Sequence, residues 1–179
     1  MATYGLVSHP DTPPAAVRGV TVDVRADAGG LQLEFSVAGK DAVRIPDPTP
    51  ATRADGLWKT TCCELFLAPA GSDAYFEFNY APSTQWAAYR FDSYRTGGCD
   101  LALSFEPQVV GGTSAADALV TVSQILSDLP PGPLQINLSA VIEETNGTKS
   151  YWALAHAPGP PDFHNRDCFI ATLPAPTGA

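Results

Sequence analysis

Within the stretch DGLWKTTCCELFLAP, residues 55–69, four side chains could carry chemistry. Trp58 could stack on a ligand, Glu64 could accept hydrogen bonds or move a proton, and the adjacent Cys62 and Cys63 could bond to each other or bind a metal ion. Neighbouring residues on a strand point to opposite faces, so the two thiols are badly placed for a disulfide. The chain also lacks the CxxC pairs and histidine spacing of zinc sites, and we expect no metal centre.

The period of two that a strand imposes separates a core face from an opposite face in three successive predicted strands. The apolar sets are Cys63, Leu65 and Leu67, then Phe76, Phe78 and Tyr80, then Ala87, Tyr89 and Phe91. The opposite faces carry six larger or polar side chains: Trp58, Glu64, Glu77, Asn79, Trp86 and Arg90. An indole stacks on the C–H face of a sugar ring, while carboxylate, amide and guanidinium groups hydrogen-bond its hydroxyls. The pattern therefore predicts a sheet face that binds a saccharide.

Simpler roles account for some of the same residues. Trp86 could pack under a loop, and Glu77 with Arg90 could form a surface ion pair worth less than about 1 kcal/mol. Trp58 could anchor the Pro-rich loop that precedes it. Trp152, in the segment SYWALAHAP, is predicted to lie in the core because both faces of its strand are fairly apolar.

The elements that would position these residues are strands, because seventeen prolines and fifteen glycines exclude long helices. Strands are predicted at 17–26, 31–38, 60–67, 75–80, 85–94, 101–110, 118–126, 134–144, 149–156 and 168–173, with turns at 27–30 and Asn146-Gly147, a Pro-rich loop at 41–56 and a tail at 176–179. We therefore expect an all-β fold, a two-sheet antiparallel β-sandwich of jelly-roll or Greek-key type. It would form a single domain spanning 1–179, with its core at about 17–173.

Composition limits the partners and the compartment. The formal net charge is −9 and the ten Lys and Arg residues are dispersed, so the sequence predicts no nucleic-acid partner and no membrane partner. The first residues lack a signal-peptide pattern, and no apolar run has the length of a membrane span. We therefore expect a cytoplasmic protein whose four cysteines stay reduced and largely buried.

Longer motifs carry a family resemblance. The segments LWKTTCCELFL, YFEFNYAPSTQWAAYRFDSYR, SYWALAHAP and PDFH make the chain, from about residue 17 to 173, resemble the DOMON-like domains that are related to family-9 carbohydrate-binding modules. The resemblance implies a β-sandwich with a ligand site. In the saccharide-binding relatives a Trp and a Glu six residues later hold the sugar, and these positions resemble Trp58 and Glu64. A second Trp closes the site in those relatives, where this chain has Asp162, Phe163 and His164.

The first functional hypothesis is a non-catalytic module for a saccharide or a sugar-like small molecule. Phe163 and His164 then join the six residues of the sheet face as ligand-binding side chains. A module of this kind usually accompanies an enzyme, whereas the predicted sandwich accounts for nearly all of this sequence. We therefore expect it to bind a metabolite or a protein partner and not a polymer.

Haem is the alternative cofactor, since the resemblance implies it for some DOMON members. The only methionine is Met1, so His156 and His164 are the candidate axial ligands. The primary expectation is that the protein carries no cofactor.

A small sugar-active enzyme is the remaining hypothesis. Glu64 and Glu77 would serve as acid and base beside His164. No GxSxG, P-loop or HExxH motif supports catalysis, and paired carboxylates on adjacent strands are common in sheets.

Overall fold

The computed structural model describes residues 1–27 and 30–173, which form twelve strands and three short 3₁₀ helices. The strands are β1 (Ala2–Ser8), β2 (Gly19–Asp27), β3 (Gly30–Ala38), β4 (Cys62–Pro69), β5 (Tyr75–Tyr80), β6 (Trp86–Phe91), β7 (Cys99–Asp100), β8 (Gln108–Thr113), β9 (Asp117–Gln124), β10 (Leu134–Glu143), β11 (Lys149–Ala153) and β12 (Ala171–Leu173). The 3₁₀ helices are Lys40–Ala42, Leu57–Lys59 and Arg166–Cys168. Not one helix in this part of the chain has the length and apolarity needed to cross a membrane.

The described strands form one continuous antiparallel path. Their order is β7-β6-β5-β4-β10-β11-β1-β2-β3-β9-β8, and β12 pairs with β10. β1 joins the two parts of the path, because Ala2–Leu6 pairs with β2 whereas Val7 and Ser8 pair with β11. The all-β, antiparallel class is thus confirmed. The strands form one curled sheet, and the two-sheet jelly-roll sandwich stays a prediction.

The main core lies inside this curled sheet. Alternate residues of β2 and β3 are buried, including Val22 and Phe35, and they share one cluster with Leu65 of β4 and Phe78 of β5. Fully burying an apolar side chain of this size contributes about 1.5–3 kcal/mol, which is why the alternation in the sequence selects the inward face. Trp152 lies in the same cluster, as predicted.

Strands β4, β5 and β10 are buried on both faces. Their second face packs under the segment that follows β11, where Phe66, Tyr75 and Val141 form a smaller cluster with Phe163 and Phe169. This second face is the one that carries polar side chains in the sequence pattern, and it contains the candidate site.

The strand predictions agree with the structure except at three places, one of which is 168–173, where only Ala171–Leu173 is a strand and Arg166–Cys168 is a 3₁₀ helix. β1 was not predicted, and the predicted strand 101–110 is replaced by the short β7 and by β8. The hairpin at Asn146-Gly147 is confirmed, with Gly147 at a φ of 89°. The turn at 27–30 falls partly, and the tail at 176–179 wholly, outside the described residues.

The cysteines give a testable consequence of the fold. Cys62, Cys63 and Cys168 are buried and free, and burial raises the pKa of each thiol, whereas Cys99 on β7 is free and exposed. The expectation that the thiols are largely buried therefore fails at Cys99. Titration of the native protein with a thiol reagent should detect one fast-reacting group, and titration after unfolding without reductant should detect four. A smaller number after unfolding would reveal a disulfide and contradict the structure.

Candidate ligand-binding cleft

An open cleft with a volume of about 740 Å³ lies on the second face of β4, β5 and β6. Its size falls within the range of small-molecule sites. Six aromatic residues line it: Trp58, Phe66, Tyr89, Phe91, Tyr151 and Phe163. Its ionisable lining residues include Glu64, Glu77, Arg95 and His164. The cleft therefore combines an aromatic surface with a few polar groups that point into the same space.

Strand pairing places the polar residues of the floor side by side. Asn79 of β5 lies opposite Glu64 of β4, which in turn lies opposite Ser139 of β10. In the neighbouring row, Glu77 lies between Phe66 and Tyr89. Because directly opposed residues project from the same face of a sheet, both rows face the cleft side.

The two glutamates are buried and hydrogen-bonded. Ser139 Oγ donates to Glu64 Oε2 at 3.2 Å, and Asn79 Nδ2 donates to Glu77 Oε1 at 2.8 Å. Burial raises the pKa of Glu64 well above its ordinary value, and the nearby charge of Glu77 raises it further. Burial also raises the pKa of Glu77, although the Asn79 hydrogen bond and Arg95 oppose that effect. The low-dielectric floor thus favours protonated carboxyl groups.

His164 lies beside the glutamates as a neutral imidazole. Burial and, secondarily, the charge of Arg95 lower its pKa to about 4. Its Nδ1 is 2.8 Å from the Tyr75 hydroxyl, which also accepts the backbone N–H of Arg95 at 3.2 Å. The hydroxyl therefore donates to Nδ1, and the imidazole proton resides on Nε2. Nε2 is 3.7 Å from Glu77 Oε2, so this N–H faces the carboxyl group.

Asp162 holds the loop that carries Phe163 and His164. Its carboxylate accepts hydrogen bonds from Tyr94 Oη at 2.6 Å, Arg95 Nη2 at 2.7 Å and the His164 backbone N–H at 3.2 Å. Although burial raises the pKa of Asp162, these hydrogen bonds hold it below its ordinary value. The turn after β6 and the loop after β11 are thereby joined at one end of the cleft.

Trp58 projects from the 3₁₀ helix Leu57–Lys59 at the edge of the cleft. Gly56 precedes this helix with a φ of 73°, a left-handed conformation that glycine adopts without strain. Leu57 is buried in a small cluster, whereas Trp58 is 49% exposed. Asp55, two residues upstream of Leu57, accepts a hydrogen bond from Tyr89 Oη at 2.7 Å, which ties this loop to the cleft wall.

Comparison with known proteins indicates a fold but no family. No family model and no curated protein matches the sequence. Among solved structures, the chain is similar to a protein from Bacteroides uniformis that is described, provisionally, as carbohydrate-binding. The sequence identity is 16%, the TM-score is 0.65, and the match covers 97% of this chain and 85% of that one. Likeness at this identity shows a shared fold.

The structure brings five of the eight predicted site residues to the cleft surface: Trp58, Glu64, Glu77, Phe163 and His164. Asn79 supports the floor through its hydrogen bond to Glu77 and is fully buried. Phe163 is mostly buried, and its carbonyl oxygen accepts a hydrogen bond from Asn137 Nδ2 at 3.1 Å.

The predicted face assignment of β6 is wrong. Trp86 lies in the main core, and Arg90 is exposed and pairs with Asp92 at 2.9 Å. Tyr89 and Phe91, which were assigned to the core, line the cleft instead. The sequence WAAYRF alternates poorly because this strand is buried on both faces at its start, and the register with β5 decides the orientation.

Six further residues of the cleft were not predicted, among them Phe66, Tyr151 and Arg95. Phe66 could have been found, since it lies two residues after Glu64 on the same face of β4. Tyr151 is the neighbour of the core residue Trp152 and therefore faces the other side. Arg95 gave no signal, because it occupies a turn with a φ of 51° and not a strand.

The histidines do not fit a bis-histidine haem site. His156 does not line the cleft, and its Nε2 is 2.8 Å from the carbonyl oxygen of Val7. Its ring also contacts His9, at 4.8 Å between centroids. Within residues 1–27 and 30–173, no group of three or more His, Cys, Asp or Glu side chains is arranged to hold a metal ion.

The environment of His164 predicts a specific pH dependence of stability. The unfolded chain binds a proton at this imidazole near its ordinary pKa of 6.5, whereas the folded chain binds it near pH 4. The stability associated with neutral His164 is therefore present above pH 6.5 and lost as the pH falls toward 4, by up to about 3 kcal/mol. Glu64 and Glu77, whose pKa values are raised, act in the opposite direction.

Urea unfolding of the wild type and of His164→Gln at several pH values should separate these contributions. The wild type should lose stability relative to the variant as the pH falls through this window, because the variant has no imidazole to protonate. A nuclear magnetic resonance titration should give a His164 pKa near 4 directly. Titration near 6.5 would contradict the buried, neutral imidazole.

Proposed function

We propose that the chain is a non-catalytic module that binds a saccharide or a sugar-like small molecule. The observation that carries the proposal is the half-exposed Trp58 at the edge of a cleft whose floor contains Glu64 and Glu77. The resemblance to DOMON-like domains and family-9 carbohydrate-binding modules agrees with it, and so does the description of the Bacteroides uniformis protein as provisionally carbohydrate-binding. We also propose that the curled sheet corresponds to the β-sandwich of those families.

A sugar ring has one surface of C–H groups and a rim of hydroxyls. The half-exposed indole of Trp58 offers flat apolar surface for the C–H groups. Glu64, Glu77 and the Nε2–H of His164 offer hydrogen-bonding groups for the hydroxyls. A protonated carboxyl group both donates and accepts, which suits a hydroxyl that does the same.

Aromatic residues surround the remaining wall. Tyr89 and Phe91 project from β6, and Tyr151 and Phe163 lie 6.0 Å apart between ring centroids on the other side. Phe163 occupies the part of the sequence where the saccharide-binding relatives have their second Trp, and it is proposed to limit the cleft there.

Two alternatives remain as outcomes of experiment. A Soret band at one equivalent of added haem, lost in His164→Ala, would favour a haem site with one histidine ligand. Release of product from a bound oligosaccharide would favour an enzyme that uses Glu64 and Glu77.

We also propose a cytoplasmic location and no nucleic-acid or membrane partner. These proposals rest on the net charge of −9 and on the sequence patterns described above.

Trp58→Ala should abolish or weaken saccharide binding while leaving the fold intact. The side chain is half-exposed, so its loss widens the cleft without forming a sealed cavity, and we expect a stability change below about 1 kcal/mol. Binding should fall at least about tenfold, or 1.4 kcal/mol, because the stacking surface is lost. Calorimetry with a panel of mono- and disaccharides and thermal unfolding would measure the two effects.

Two control variants make this test specific. Phe105→Ala removes a similarly exposed aromatic residue that does not line the cleft, and binding should stay unchanged. Trp152→Ala removes a core indole that is 5% exposed and should cost about 3–5 kcal/mol of stability. If no saccharide binds the wild type at millimolar concentration, or if Trp58→Ala destabilises the protein as much as Trp152→Ala, the proposal is wrong.

A further inference from the structure

Hydrogen-bond acceptors outnumber donors at the floor of the cleft. Glu64 receives one hydrogen bond from Ser139, and Glu77 receives one from Asn79. The amide oxygen of Asn79 is buried and has no hydrogen-bond partner in the part of the chain that the structure describes. Asn79 lies opposite Glu64 on the neighbouring strand, and its amide nitrogen donates to Glu77. A buried acceptor without a partner is costly, but Asn79 is fully buried and does not line the cleft, so the acceptors that a ligand can reach are those of Glu64 and Glu77.

In the part of the chain that the structure describes, no Lys or Arg pairs with the two carboxyl groups of the floor. Among the described residues, Glu64 has no ion-pair partner, and the one basic group within ion-pair distance of Glu77 is His164, at 3.7 Å. His164 is neutral above a pKa of about 4, so it offers an N–H and no charge near neutral pH. Arg95 lines the cleft, but its guanidinium is bound to Asp162 at 2.7 Å. Among the described residues that line the cleft, Arg95 is thus the only Lys or Arg, and it is already paired.

The walls add an environment that attracts cations. Tyr89, Phe91, Tyr151 and Trp58 line the same cleft, and two of these rings already have a cation of the chain over them: Arg53 lies 5.2 Å from the centroid of Tyr89 and Lys59 lies 5.9 Å from that of Trp58. The faces of aromatic rings carry partial negative charge and bind ammonium groups, most strongly where water is excluded. The acidic floor and the aromatic walls are therefore both complementary to a positively charged ammonium group.

We propose that the saccharide bound in this cleft carries a primary ammonium group, as an amino sugar does, and that Glu64 and Glu77 hold this group between the aromatic walls. The inference rests on the proposed function and narrows its ligand class. An ammonium supplies three N–H donors and one positive charge to a floor with surplus acceptors, whereas a hydroxyl supplies one donor and no charge.

Binding of such a ligand is coupled to protons. In the free protein burial raises the pKa of both glutamates, and a bound ammonium lowers them again by favouring the carboxylates. Protons are therefore released on binding, and the affinity rises with pH while the amine stays protonated. The other titratable groups around the pair are Cys62, Tyr75, Tyr89, Arg95, Tyr151, Asp162 and His164. The Cys62 thiol and the Tyr75 and Tyr89 phenols stay neutral, and Arg95 and Asp162 keep their charges, between about pH 5 and about pH 7.

Calorimetry with matched ligands tests the inference. The probes are glucosamine and galactosamine, their N-acetyl derivatives, and glucose and galactose. The amino sugars should bind at least about tenfold more tightly than the N-acetyl sugars, which keep the ring but lose the charge. Titrations in two buffers of different protonation enthalpy should show proton release for the amino sugars only, with affinity rising from about pH 5 to about pH 7.

Variants identify the groups responsible. Glu64→Gln and Glu77→Gln should each reduce the affinity for the amino sugar at least about tenfold more than the affinity for glucose, because glutamine keeps hydrogen-bonding groups for a hydroxyl but cannot balance the charge of an ammonium. Glu143→Gln is the matched control, since Glu143 is a buried carboxylate on β10 that pairs with Arg44 and does not line the cleft. Thermal unfolding of each variant checks the fold.

The outcomes separate the two proposals. Equal affinity for amino and N-acetyl sugars, with saccharide binding intact, overturns the ammonium inference and leaves the saccharide module standing. Absence of binding by every sugar overturns both. If the glutamine variants fail to fold, proton release by the wild type decides alone, and its absence overturns the inference.

Discussion

Burial of β4, β5 and β10 on both faces is the constraint on which the rest of the structure depends. One face packs against β2 and β3 in the main core, and the other packs under the segment after β11. Polar side chains on the second face cannot be fully hydrated, so they must bond to one another. Ser139 bonds Glu64 and Asn79 bonds Glu77 beneath the cleft, which meets this requirement except at the amide oxygen of Asn79.

The same burial sets the electrostatics of the site. Desolvation favours the uncharged forms of acids and of histidine, so Glu64 and Glu77 hold protons more tightly while His164 releases its proton. Asp162 differs because it accepts hydrogen bonds from Tyr94 and Arg95 and keeps its charge. The cleft therefore has a neutral, hydrogen-bonding floor, and the ion pair between Arg95 and Asp162 lies at one end of it.

Much of this could be read from the sequence because alternation is a strong signal where one face is apolar. It identified most strands and placed Trp58, Glu64 and Glu77 on one side. It failed for β6, where adjacent alanines and aromatic residues on both faces leave the phase undefined. β1 was missed because it joins the two parts of the sheet and has a single buried residue. Arg95 reaches the cleft from a turn, a position that depends on tertiary contacts with Asp162.

The division of the cleft between strands and loops has a consequence for how its specificity could change. The residues of the floor alternate with core residues along the same strands, so a substitution there that shifts the backbone also disturbs the packing beneath it. Trp58, Arg95, Phe163 and His164 come from turns and loops, where insertions and replacements are better tolerated. Divergence among proteins of this fold should therefore appear first in the shape of the cleft walls, while the acidic character of the floor changes more slowly.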